Sequence, residues 1–282
     1  ALGRKRLSQR AVAAAQEIAR ELDDPSALGH NLVYMGLASH LSGGTTVAAA
    51  QLREAFERFG EQLENVDFLN TVAVFSWNLL LRGYPEQGLR WAEQGVRRAA
   101  FTAAEDGLVQ GHSFRAYMGP LLAMVDRGAE GRKHLEDYRR VIRNSPGDRF
   151  RWGQYHGHLA FALLLEGELG PPLERMLDDW RRLGLRPRGT PLQLRHFFVT
   201  VGYARLWQHE AAGPDDRPRT RRALRAALRE LRRVCSHPGL EAHRLVLVAG
   251  ASVLAGRAAR ATRELQRAEA LAEATDNRWV RL

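Results

Sequence analysis

The feature that most constrains this chain is a fixed interval between a turn glycine and a series of small residues on the apolar face of the next segment. In "LLLRGYPEQGLRWAEQGV" (79–96), Gly83 marks the turn, and Gly88, Ala92 and Gly95 follow at spacings of five, four and three. A helix-interior glycine costs about 1 kcal/mol against alanine. Two of them seven residues apart on one apolar face therefore point to a neighbouring helix close enough to need small side chains. The interval returns as Gly43, Ala48, Leu52, Ala55 in "HLSGGTTVAAAQLREAF" and as Gly256, Ala261, Leu265, Ala268 in "VLAGRAARATRELQRAEAL". "LLLEGELGPPLERMLDDW" matches less well, with Gly167, Pro172 and Met176. "MVDRGAEGRKHLEDYRRVI" matches loosely, with His134 at the small position.

Helical periodicity dominates and strand-like alternation is nearly absent. The pattern predicts fourteen helices, near 7–22, 25–41, 45–62, 66–82, 85–99, 103–126, 129–144, 149–166, 171–184, 190–209, 218–235, 239–255, 257–274 and 277 onward. Gly, Pro, Ser and Asp clusters punctuate them. Pro120 falls inside a helical pattern and is expected to kink or split the sixth helix. Connections are short, so neighbours are antiparallel hairpins. The longer loop 210–218 is the one candidate for an internal boundary in an otherwise single domain, 1–282.

Turn glycine, small, medium apolar, small is the second half of a tetratricopeptide repeat. First-half positions hold Leu32, Met35 and Gly36 in 29–62, and Val72, Phe75 and Ser76 in 69–102. The expected fold is all-α, a right-handed superhelical stack of helix hairpins. "LLLRGYPEQGLRWAEQGVRRA" and "RELQRAEALAEATDNRWVRL" resemble the helical-repeat region that follows the ATPase module of large bacterial signalling proteins. Those include serine/threonine kinase–ATPase fusions, adenylate cyclase–ATPase fusions and LuxR-type regulators. The resemblance implies a regulatory interaction domain whose catalytic neighbour lies elsewhere. Neither end reads as a polar solenoid cap, so a fragment of a longer array is expected.

Enzyme signatures are missing from the sequence. There is no phosphate-binding G-x-x-x-x-G-K-[ST] and no kinase H-R-D or D-F-G set. "SGGTTVAAA" (42–50) lacks the lysine of such a loop and reads as a turn with Thr45 or Thr46 capping the next helix. His156 and His158 are two apart and do not share a helix face; Cys235 and His237 have the wrong spacing for zinc. Asp178-Asp179 and Asp215-Asp216 are paired only in sequence. No cofactor or metal is expected. No apolar run reaches the length of a membrane helix, the first residues lack a signal-peptide core, and a single cysteine fits a reducing, cytoplasmic setting.

The formal net charge is +10, which invites a nucleic-acid reading. Only Lys5 and Lys133 are lysine among the 42 basic residues, however, and isoleucine occurs only at 18 and 142. That is the bias of a GC-rich coding sequence, and it weakens the charge argument. The sharpest basic feature is 217–233, with eight arginines against Glu230. Arg221, Arg222, Arg225, Arg229, Arg232 and Arg233 form either a solvated face or a docking strip for an acidic partner.

In a tetratricopeptide hairpin, first-helix residues off the packing positions face a concave groove. Here those are His30, His40, Trp77, Gln154 and His158, with Arg195 and Tyr203 in the tenth helix. Trp77, one residue past Ser76, either anchors a ligand there or packs as core. The expected function is protein or peptide interaction with regulation of a catalytic module of the same polypeptide. Nucleic-acid binding through arginine faces and a purely structural spacer are the alternatives.

Overall fold

The computed structural model describes residues 5–22, 24–101, 105–235 and 237–281, with the side chains of 5–10, 12, 13, 100, 101 and 105–113 left aside. Among them are thirteen α-helices and no strand: α1 (Lys5–Leu22), α2 (Pro25–Leu41), α3 (Thr45–Phe59), α4 (Asn65–Arg82), α5 (Pro85–Phe101), α6 (Glu105–Ala123), α7 (Gly128–Ile142), α8 (Arg149–Leu165), α9 (Pro171–Arg182), α10 (His196–Glu210), α11 (Arg217–Val234), α12 (Pro238–Val253) and α13 (Ala258–Thr275). Local chemistry sets the ends. Asp24 accepts the Ser26 N–H at 2.9 Å with Pro25 in the first turn, and Asp148 accepts that of Arg151 at 3.0 Å. Gly83 closes α4 in the left-handed region, φ +76°, where a side chain would be strained. α3 starts at Gly44 without a side-chain cap, and the Thr45 hydroxyl instead reaches the far end of the chain.

Three expectations are corrected. The tenth helix begins at His196, since Pro187 and Pro191 hold the preceding stretch in two short 3-10 turns. Among the described residues no helix follows 277: Asp276 turns left-handed (φ +48°) and the Asn277 side chain accepts the Trp279 N–H at 3.1 Å. Pro120 does not split α6, which runs on to Ala123. A proline here removes the donor to the carbonyl four residues back, that of Ala116. The buried His158 imidazole lies near that carbonyl, whose influence partly opposes the lowering of the His158 pKa by burial.

The helices pair as α2/α3, α4/α5, α6/α7, α8/α9, α10/α11 and α12/α13, and each even-numbered helix also contacts the next even-numbered one. Even-numbered helices bury residues around most of their circumference: in α8, Gly153 to His158 are all buried. Odd-numbered helices are amphipathic and bury one stripe, as Leu224, Ala227, Leu231 and Val234 do in α11. An apolar cluster runs from Leu164 through Phe197 and Leu231 to Leu247, across the loop at 210–218.

Close crossings lie where the small residues are. A Cβ on Gly88 would fall 2.7 Å from the Leu121 side chain, and one on Gly95 3.0 Å from both Phe114 and Val72. Ala92, Ala261 and Ala268 are buried, Leu265 is half-buried, and Gly256 (φ +70°) meets nothing, so it serves the turn alone. A backbone-to-backbone approach joins α6 and α7, where a Cβ on Gly131 would sit 2.5 Å from the Gly119 carbonyl oxygen. A side chain can swing away from such a clash, but a helix backbone cannot. Gly131→Ala is expected to lose about 1–3 kcal/mol in denaturant melts, whereas Gly147→Ala, with open space around it, should lose nothing. Equal midpoints for the two variants would refute the crossing.

Turns early in the described chain meet its last segment. Thr45 Oγ1 donates to the Thr275 carbonyl at 3.0 Å, and the Arg278 N–H donates to the Arg82 carbonyl at 2.9 Å. Asp276 pairs with the Arg82 guanidinium and accepts from Tyr84 Oη at 2.8 Å. Pro238 packs on Gly43, leaving no room there for a Cβ. The seam thus joins the α2–α3 and α4–α5 turns to the start of α12 and the end of α13.

Candidate docking groove

The residues expected to line a concave groove are mostly core. Trp77 is 2% exposed and sits edge-on to the His40 ring at 4.1 Å, among Leu80, Leu89, Tyr117 and Phe161. His40 accepts from Asn78 Nδ2 at 3.0 Å, and Gln154 accepts from Tyr138 Oη at 2.8 Å. His158 lies between Tyr117 and His196, 5.1 Å from each. Tyr203 Oη meets His243 Nδ1 at 3.1 Å. The physical reason is shared: these side chains belong to even-numbered helices covered on several sides, and the seam covers His40 with His237, 6.0 Å away. Burial pulls the imidazole pKa of His40 down to about 3 and those of His196 and His243 to about 4. It raises the Tyr203 hydroxyl above its ordinary value. His30 is exposed and pairs with Asp67 at 2.6 Å; Arg195 bonds the Thr190 and Val234 carbonyls at 3.0 and 3.2 Å. Both are structural partners on separate faces, and the seven residues do not form one site.

The arginine-rich helix has a different setting. α11 packs on α10 but stands away from α13, and between them, over α12, lies a groove of about 710 Å³. Its α11 wall is Arg217, Arg221, Arg225, Arg229 and Arg232; Arg257 and Arg260 face them from the start of α13. The floor is apolar, formed by Leu224, Leu228, Val248, Ala251 and Leu254, and Leu254 is 41% exposed. Among the described residues no acid is within ion-pair distance of those seven arginines; Arg244, at the margin, is held by Glu241 at 2.6 Å. Arg222 and Arg233 are exposed on other faces of α11 and do not line the groove, which corrects their grouping with the rest.

A second groove, about 580 Å³, lies between α7 and α9 over α8 and carries Arg132, Arg139 and Arg182. Three of its arginines are already paired, Arg132 with Glu166 and Glu168, Arg139 with Glu136 and Arg182 with Asp179, and only Arg175 has no acid within ion-pair distance among the described residues. The first groove presents uncompensated positive charge on both of its walls above apolar surface, whereas the second has Arg175 alone among the described residues. The sequence pointed to its α11 wall. It gave no sign that Arg257 and Arg260 come opposite, because that depends on how the last hairpin packs.

Among the described residues, no group of three metal-ligating side chains is close enough to hold an ion. Cys235 is half-buried against α12, its thiol 3.6 Å from the Leu240 carbonyl and its pKa pushed up to about 12 by burial; at neutral pH it is a thiol, a poor nucleophile. Asp178 and Asp179 each bind an arginine one turn on. No helix among the described residues is long and apolar enough to cross a membrane. Comparison with protein-family models, with curated proteins and with solved structures finds no match to this chain.

Proposed function

We propose that the chain is a non-catalytic interaction scaffold that docks an acidic amphipathic helix in the groove between α11 and α13. The partner is another protein or the catalytic module of the same polypeptide, as in the signalling ATPases and kinases whose helical-repeat regions the sequence resembles. Paired helices with small-residue crossings fit a right-handed tetratricopeptide-like stack, and this supports the reading. The observation that carries it is the combination of a leucine floor with unpaired arginines on both walls. A helix laid in a groove buries an apolar stripe and presents its flanks to the rim, and acidic flanks would meet Arg221, Arg225 and Arg229 on one side and Arg257 and Arg260 on the other. A nucleic-acid backbone would use the charge and leave the apolar floor unused.

The test is fluorescence anisotropy with a labelled Glu/Leu amphipathic helical peptide, the same composition scrambled to abolish the apolar stripe, and a duplex DNA. The amphipathic peptide is expected to bind best, and Arg225→Glu/Arg229→Glu to weaken it about tenfold or more, from two lost attractions and two new repulsions. Equal binding of both peptides would reduce the groove to non-specific charge. Tighter binding of duplex DNA would favour the nucleic-acid alternative.

A further inference from the structure

The segment after α13 is held as a ligand is held. Residues 276–281 form no helix, yet their side chains are met by groups drawn from five different helices and a turn. The Asp276 carboxylate is taken by Arg82 and Tyr84. The Arg278 guanidinium lies over the Tyr84 ring at 4.2 Å. The Trp279 indole stacks on Phe161 (4.8 Å, 22°) and is edge-on to His243 at 5.3 Å and Tyr203 at 6.5 Å. Val280 is buried against Leu245 and Ala268. The one main-chain hydrogen bond from this segment to another part of the protein, among the described residues, is Arg278 N–H to the Arg82 carbonyl.

Phe161, Tyr203 and His243 stand on α8, α10 and α12, and Arg82 ends α4. Nothing in repeat packing requires three successive inner helices, α8, α10 and α12, to converge on one indole. Aromatic walls around an aromatic side chain, with a cation–ring contact and a clamped carboxylate beside it, are the means by which peptide sites anchor a tryptophan.

We propose that the inner face is a binding site for an extended peptide of the pattern acidic–x–Arg–Trp–aliphatic, filled in cis by residues 276–281. A partner presenting that pattern takes the site by displacing the segment, and so opens the seam between the segment and the early turns. A ligand carried on the same chain competes at an effective concentration of about a millimolar, so a peptide in trans at micromolar concentration does not displace it from the wild type.

The experiment uses the full chain with Asp276→Ala/Trp279→Ala, which frees both anchors, and two fluorescein-labelled peptides, Asp-Asn-Arg-Trp-Val-Arg and the same with Ala for Trp. Saturable binding of the tryptophan peptide to the double variant, at least tenfold tighter than to the wild type and at least tenfold tighter than the alanine peptide, is the expected result. Absence of saturable binding, or equal affinity for the two peptides, overturns the proposal and leaves the segment as ordinary core packing. If the double variant loses its helical circular dichroism, Tyr84→Phe, which removes one of the two donors to Asp276, carries the same titration with the same outcomes. The groove between α11 and α13 shares no residue with this site, so the two proposals fail independently.

Discussion

Acidification from pH 7 to pH 5 will unfold most of the helical array. Six histidines among the described residues are buried with lowered pKa values: His40 at about 3, His156, His196 and His243 at about 4, His158 well below the ordinary 6.5 and His237 below it. Burial is the largest cause in each case, with a neighbouring imidazole adding to it at His40 (His237) and His158 (His196). Nearby groups offer little relief. His40 faces Asn78 and Trp77, His158 faces Tyr117 and His196, and His243 faces Tyr203, Asn277 and Trp279; only His156 has a carboxylate, Asp179, that opposes the shift.

The folded pKa values lie below the unfolded one, so as pH falls through 6.5 the unfolded chain binds protons that the folded chain cannot. Stability is full above about pH 6.5 and declines until the folded pKa is reached near pH 4. At pH 5 each of the four with a folded pKa of about 4 or below costs about 2 kcal/mol, on the order of 8 kcal/mol together, the size of a whole domain's stability, and His158 and His237 act in the same direction. Asp276 and Glu174, whose pKa values are lowered by hydrogen bonds from Tyr84 and Arg82 and from Arg205, add a further loss below about pH 4. Far-UV circular dichroism against pH should show a cooperative transition with its midpoint between about pH 5 and 6. Unchanged ellipticity and melting temperature at pH 4.5 would mean that these imidazoles are not buried neutral in solution.

Much of the fold is legible because it is written locally. A glycine that must adopt positive φ, such as Gly83, and small residues one and two turns on can be read from spacing alone. The difference between inner and outer helices was also there to read: "FLNTVAVFSWNLLL" in α4 is apolar almost all round, whereas "RPRTRRALRAALRELRRV" in α11 has one apolar stripe. A helix apolar on every side is covered on every side, and that reading would have placed Trp77 in the core. Periodicity says which residues are buried and not what they meet. The pairs that close the structure, Thr45 with Thr275 and Arg82 with Asp276, are separated by 230 and 194 residues. The repeat pattern contains nothing that brings them together. The last segment misleads for a related reason: "DNRWVRL" has the composition of a helix start, but tertiary contacts at Asp276 and Trp279 outweigh its propensity.

Trp77→Ala is the substitution expected to destabilise most, by about 3–5 kcal/mol. The indole fills the junction where α2, α4 and α6 meet: edge-on to His40 from α2, and clustered with Tyr117 and Leu121 from α6 and Leu89 from α5. Those neighbours sit on helices fixed by their own crossings, Gly88 against Leu121 among them, so the cavity left by truncation cannot collapse. For a chain of this length the loss corresponds to a melting-temperature drop of roughly 6–20 °C. Trp77→Phe separates the ring from its polar atom. The indole Nε1 has no hydrogen-bond partner within the protein, and an unpaired buried donor costs about 1–3 kcal/mol. Phenylalanine removes that donor while keeping most of the aromatic volume. The two effects oppose each other, and Trp77→Phe should melt within a few degrees of the wild type. Thermal melts of the three proteins at neutral pH decide the assignment: alanine far below, phenylalanine near, fixes Trp77 as core. An alanine variant that melts with the wild type would return Trp77 to an open inner face, and the first place to look for its ligand would then be the tryptophan-bearing segment at 276–281.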